Sequence, residues 1–306
     1  MAGIDLYSLS MAESPQISGA PHFPMWIESA WKDEDGLIYA WYHYEEGVCG
    51  GKLALPNIGA LLSYDGGETF EDLGIVVDSG DEPDCNAQNG FFAGGHGDFS
   101  VVLDRERQFF YFLFTNYGGD VSAQGVAMAR MPFPARADPV GSVSKLYQGA
   151  WEQPGLGGQV TPILTARQAW QRADTDSFWG PAIHWNTALG RWVVLLNHAC
   201  CKSGWPQEGI YLMFGSDLAD PKTWTRPVRL LDSSQIGFSP GYYPQAFGTD
   251  PGETDSEAGF QPRLYIKGIS KWRLVLENPM PSPAPPKECG FALDVDGCGS
   301  DPADGR

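Results

Sequence analysis

One pattern recurs along the chain and constrains its fold more than any other: an apolar run, a short polar turn, a second apolar and aromatic run, then a loop and a further strand. The first copy runs from Trp26 to Trp31, turns at Lys32–Gly36 and continues from Leu37 to Tyr44. The second pairs Asp98–Leu103 with Phe109–Thr115 across a turn at 104–108, and the third pairs Gly180–Trp185 with Arg191–Leu196. A fourth, weaker copy sets Tyr243–Phe247 beside Arg263–Ile266 and Trp272–Leu276. The runs are short, β-branched and aromatic, and lack helical period, so they read as hairpins. After each of the first three comes a strand opening on a Gly-hydrophobic step, at Gly59, Gly125 and Gly209. Four strands in a unit of roughly 55 to 80 residues is the arithmetic of propeller blades, whose apolar faces stack around an axis. A β-sandwich would not repeat the same order of turn types. The expected fold is therefore an all-β propeller over residues 1–277, with four blades visible and five expected.

Composition agrees. Gly 38 and Pro 24 supply turn chemistry and leave little for long helices. Hydrophobic residues at 42% support a folded core, while 38 acidic against 20 basic residues, a net charge of −18, give no phosphate-neutralising footprint. Nucleic acid and membrane partners are not expected, and a monomer is. Residues 1–22 lack a basic n-region and a continuous apolar stretch, so no signal peptide is read there. A secreted or periplasmic location is nonetheless the expectation. Residues 278–306 are Pro-rich, then Gly/Asp-rich, and read as a disordered tail; its Asp294, Asp296 and Asp301 are too few for a calcium loop. Of the six cysteines, neighbouring Cys200 and Cys201 are expected as thiols or with separate partners.

Ser63-x-Asp65-x-Gly67-x-Thr69-Phe70 fits the Asp-box turn that sialidases and related propellers carry between third and fourth strands, with Phe for the usual Trp; its role is to close the turn. The hairpin from Gly97-Asp98 to Tyr111, the Gly180-Pro181 hairpin and the Ser216-Asp217-Leu218 to Trp224 turn resemble the strand pairs of five-bladed propeller glycosidases, the arabinanase, xylosidase and invertase group. The resemblance covers about residues 23–232. It implies that Asp98 is the second-blade carboxylate that tunes the acid and orients substrate. Where the group has its third-blade acid, this chain has Trp179.

In propeller topology the start of each innermost strand and the loop between second and third strands open on the same funnel. Glycoside hydrolysis needs two carboxyl groups there. The candidates, all from segments that open on the funnel, are Asp98, Glu208, Asp176 and Glu28, and Asp98, Glu208 and Asp176 are expected to line it together. Glu208, between Trp205-Pro206 and Gly209, is expected to be raised by aromatic crowding and to act as the acid. Glu28, or a residue upstream of the chain, would be the base, and inversion is the expected outcome. His96, Trp179, Trp205, Gln207, Asn89 and Tyr243 are the candidate substrate-binding residues, with half or more of the tryptophans Trp26, Trp179, Trp185 and Trp205 expected in the core. No cofactor is required, although relatives place calcium beside a channel histidine, for which His184 and His198 are the candidates. The expected function is a glycosidase acting on a poly- or oligosaccharide, with furanosides in view. The alternatives are a non-catalytic carbohydrate-binding propeller and a sialidase-like enzyme, the last needing an arginine cluster that the sequence places mostly in turns.

Overall fold

The computed structural model describes residues 14–19, 22–237 and 241–277. They form a β-propeller of four blades. The first blade holds β1 (Gln16–Ser18), β2 (Met25–Lys32), β3 (Ile38–Val48), β4 (Leu53–Ser63) and β5 (Thr69–Val77) in the order β2-β3-β4-β5-β1 outward. The second runs outward as β6 (His96–Leu103), β7 (Phe109–Asn116), β8 (Gly125–Pro132), β9 (Ser144–Tyr147) and β10 (Ala150–Pro154), with β11 (Leu164–Thr165) on β8. The third is β12 (Asp176–Asn186), β13 (Arg191–Cys200), β14 (Gln207–Gly215) and β15 (Val228–Asp232). The fourth comprises β16 (Pro244–Phe247), β18 (Arg263–Ile266) and β19 (Ile269–Arg273), while β17 (Glu257–Ala258), from its first loop, pairs in parallel with β12. The five-bladed expectation gives way to four sheets among the described residues, and the expected tail at 278–306 lies outside them.

The alternation of side chains along each strand explains how the blades stack. On β7, Phe110, Phe112 and Phe114 point to the first blade, where they meet Tyr39, Trp41, Ile58 and Leu62. Tyr111 and Leu113, one step out of phase, face the third blade and pack with Ile183, Trp192 and Val194. On β13 the same parity sends Trp192, Val194 and Leu196 to the second blade and Val193 and Leu195 to the fourth, against Tyr242, Ala246 and Leu264. Each middle strand is thus apolar on both faces, which is why the hairpins read as continuous runs rather than as polar–apolar alternation.

Between blades, only the short β12–β17 pairing joins an innermost strand to a neighbouring blade by a backbone ladder among the described residues. Elsewhere side chains do that work: Glu28 Oε2 and Ser29 Oγ accept the β6 amides of Phe99 (2.8 Å) and Val101 (2.9 Å), and Ser100 Oγ accepts the amide of Ile183 on β12 (3.2 Å). The turn between β4 and β5 is closed by Ser63 and Asp65, which accept from Gly67 N–H (2.9 Å) and Thr69 N–H (2.9 Å). Cys49 and Cys85 form a disulfide. Cys200 and Cys201 are also bonded to one another, which replaces the expectation of free or separately paired thiols. Among the described residues no helix is long and apolar enough to cross a membrane.

Candidate active site

A bulge interrupts the innermost strand in each of the first three blades. The register shifts between Ile27 and Ser29, between Gly97 and Phe99, and between Trp179 and Ala182, leaving Glu28, Asp98 and Gly180-Pro181 as the extra residues. In the fourth blade Tyr243 stands just before β16. Asp98 (φ +41°), Gly180 (φ +56°) and Tyr243 (φ +44°) all take left-handed backbone. A bulge re-aims a side chain that the pleat would otherwise direct into the sheet interface. Here the four equivalent seats converge, and Glu28, Asp98, Gly180, Pro181 and Tyr243 line one open cleft of about 550 Å³. Asn197 fixes the fourth seat by accepting the amides of Tyr242 (2.9 Å) and Tyr243 (3.2 Å).

Beneath the seats lies His43, on β3. Its Nδ1 is 3.1 Å from Glu28 Oε1, and an oxygen of Glu28, an oxygen of Asp98 and a ring nitrogen of His43 all lie within 4.8 Å of one another. Gly97 makes room for the ring, because a Cβ there would sit 2.7 Å from His43 Cε1. Burial disfavours the imidazolium, but the Glu28 hydrogen bond and the charges of Glu28, Asp98 and Glu45 outweigh it and lift His43 to about 9. Asp98, 4% exposed, is raised to about 6. Burial is the main cause and the negative charges of Glu28 and Glu45 add to it, against His43 and the hydroxyl of Tyr117, which donates to Asp98 Oδ2. Burial and the charges of Asp98 and Glu28 likewise push the Tyr243 phenol up, so it stays a neutral hydroxyl.

Asp176 and Glu208 belong to a different cluster, so the carboxylates expected in one funnel divide in two. Asp176 opens β12 and Glu208 follows the start of β14; His198 lies between them, with Nε2 3.0 Å from Asp176 Oδ1 and Nδ1 2.5 Å from Glu208 Oε2. The aromatic crowding expected to raise Glu208 is not what surrounds it. Trp205 packs instead against Phe91 and Trp170. Burial does push Glu208 up, but hydrogen bonds from Tyr211 and His198 and the charge of Arg229 hold its carboxyl below the usual range.

Of the six candidate binding residues, Tyr243 lines the cleft and is half-exposed. Trp179 is buried behind it, edge-on to its ring, with Nε1 donating to Gln207 Oε1 (3.0 Å). Trp205 is core, Gln207 bonds the Trp205 carbonyl, and Asn89 is consumed by the backbone of Phe91, Phe92 and Trp170. His96 lines a separate recess with Ser79, Asp81 and Asn116. His184 does face the axial channel below the cleft, where burial pushes it down to about 4, whereas His198 is held by its two carboxylates away from it. His43 is the residue that sequence reasoning passed over. Its signal was one polar group in the Tyr39-Trp41-His43 face of a strand otherwise apolar there.

No protein-family model and no curated protein matches the chain. Solved structures do. An endo-arabinase from Bacteroides thetaiotaomicron is 14% identical over 82% of this chain and 74% of its own, with a TM-score of 0.42. An exo-1,5-α-L-arabinanase from a bovine ruminal metagenomic library is 13% identical over 83% and 72%, at 0.43. An α-L-arabinofuranosidase from Fusarium graminearum is 11% identical over 71% of this chain at 0.36, and this chain spans half of its length.

Proposed function

We propose that the chain is a glycoside hydrolase whose reacting groups are Asp98 and Glu28. The observation that carries the reading is their pairing: two carboxyl groups from adjacent blades at the floor of one cleft, one of them raised to about 6 by burial and like charge. An acid of that strength keeps a proton at mildly acidic pH and can deliver it to a leaving glycosidic oxygen. Glu28, anchored by the Phe99 amide and His43, is the nucleophile of this reading. An oxygen of each carboxyl group lies within 4.8 Å of the other, which favours the close pair of retaining enzymes, at roughly 5 to 5.5 Å, over the about 6.5 to 9.5 Å that inversion needs. The proposed course is therefore retention, in place of the inversion expected from the sequence. In the first step Asp98 protonates the leaving oxygen as Glu28 bonds the anomeric carbon; in the second, Asp98 takes a proton from the water that releases the sugar. His43, positive and buried below both, keeps the two carboxyl groups close without their repulsion opening the site.

The sialidase-like alternative lacks its anion clamp. Among the described residues no arginine lines the cleft, and Arg105, Arg107, Arg130 and Arg136 lie over aromatic rings instead. The non-catalytic binding alternative has a specific observation in its favour, since the third seat, Gly180, carries no side chain. Screening poly- and oligosaccharides for released reducing sugar decides between them. The hydrolase reading expects turnover that Asp98→Asn and Glu28→Gln each reduce about 10²- to 10⁴-fold; a glycan bound by the wild type and unchanged after prolonged incubation would leave the binding reading standing.

A further inference from the structure

The second carboxylate–imidazole cluster has a property that glycoside hydrolysis does not use. Asp176 on β12 is the register partner of Cys200 on β13, so their side chains stand side by side. His198 precedes Cys200 by two residues and therefore projects from the same face. The result is one oxygen, one ring nitrogen and one sulfur within 4.8 Å of one another. Asp176 and His198 are both more than nine-tenths buried.

The hydrogen bonds prepare this set for a cation. Glu208 Oε2 lies 2.5 Å from Nδ1 of His198, a carboxylate hydrogen-bonded to one nitrogen of the ring. On the other side of the ring Nε2 is hydrogen-bonded to Asp176 Oδ1 at 3.0 Å, so a nitrogen and an oxygen already meet where an ion would lie. The other Asp176 oxygen is turned to Arg167, 4.0 Å away, and Glu208 is held from behind by Tyr211 and Arg229. A histidine that gives its far N–H to a carboxylate while its near nitrogen faces further donors is the usual second-layer arrangement of metal-binding histidines. Phe178, stacked on the ring at 4.3 Å, fixes its plane.

We propose that this cluster is a redox-gated zinc site, filled by one ion on Asp176, His198 and Cys200 when the Cys200–Cys201 bond is reduced. The donor set selects the ion. Sulfur and imidazole suit zinc, at about 2.3 Å and 2.0 Å, and are poor ligands for calcium or magnesium. Three protein ligands leave the fourth position to water. The disulfide is the closed state, because Cys200 Sγ then has no charge to offer. A dithiol opens it: two electrons and two protons convert the disulfide to two thiols while the dithiol becomes its own disulfide. On binding, the Cys200 S–H bond breaks and the proton shared by His198 Nε2 and Asp176 is displaced; both protons leave to solvent, and the thiolate, the freed Nε2 and the carboxylate bond the metal.

Cys201→Ser frees Cys200 without any reductant, and Cys200→Ser/Cys201→Ser removes the sulfur. Zinc titration calorimetry on the full chain, with elemental analysis after dialysis, should give Cys201→Ser one more bound equivalent than the double variant. Cobalt in its place should add a thiolate-to-metal charge-transfer absorption to Cys201→Ser only. Oxidised wild type should match the double variant and, once reduced by a dithiol that is then removed, match Cys201→Ser, which keeps the comparison valid if either variant folds poorly. Glu208→Gln in the Cys201→Ser background should weaken zinc binding about 10- to 100-fold. Equal zinc uptake by Cys201→Ser and the double variant, or a cobalt complex with no thiolate band, would overturn the proposal.

Discussion

Two places in this molecule set a histidine between two acidic side chains, and they do opposite things with it. In the cleft, Glu28, His43 and Asp98 lie with Tyr243 beside them and Tyr117 bonded to Asp98, and among the described residues no arginine lines the cleft, so burial and mutual charge dominate: the imidazole is lifted to about 9 and the Asp98 carboxyl to about 6. At the head of the third blade, Asp176, His198 and Glu208 lie beside Arg167 and Arg229, with Glu208 half-open to water, and its carboxyl is lowered. The same three residue types thus give a carboxyl raised in one setting and a carboxyl lowered in the other. Residue identity decides less than the charge and solvent that surround it.

The comparison is broken most directly by exchange of acids for amides. Asp98→Asn and Glu28→Gln should each cost about 10² to 10⁴ in kcat/KM on any glycan the protein cleaves, with Glu208→Gln close to wild type. Comparable losses in all three would mean that both clusters take part. The pH profile sharpens it next. The acid must carry its proton, so kcat/KM should fall about tenfold per pH unit once pH has risen through about 6. Stability follows the same sign. The folded carboxyl is raised above its unfolded value, so the folded state holds the extra proton, and the stability present below about pH 4 is lost as pH rises through about 6. Urea midpoints of wild type should therefore decline between those limits relative to Asp98→Asn.

A packing test comes third. Gly97→Ala places a methyl 2.7 Å from His43 Cε1 and 2.8 Å from Pro56 Cβ and should cost about 1–3 kcal/mol by urea unfolding. The smallest effect belongs to the surface pair: Arg229→Ala removes a 3.2 Å contact between two solvent-washed side chains and should change stability by about 1 kcal/mol or less, an effect that salt diminishes.

The fold was legible because the middle strands are apolar on both sides, and runs such as Phe109–Phe114 and Arg191–Leu196 stand out against Gly- and Pro-rich turns. The seats of Glu28 and Asp98 were readable as strand starts. Their pairing with His43 was not, because it depends on a bulge in β2 and a gap at Gly97, neither of which has a sequence period. Glu208 misled for a related reason. Its neighbours in the chain are Trp205 and Pro206, but its neighbours in space are Tyr211, His198 and Arg229, brought from other strand positions by register.

The seats at Glu28, Asp98, Gly180 and Tyr243 share no side chain with the three cores between the blades. Selection can therefore rewrite the occupants of the axis one at a time while the stacking of the blades stays intact. Under that separation a lineage of such chains would diverge in chemistry faster than in architecture, and a new activity would require few substitutions, each at a position outside the cores that stack the blades.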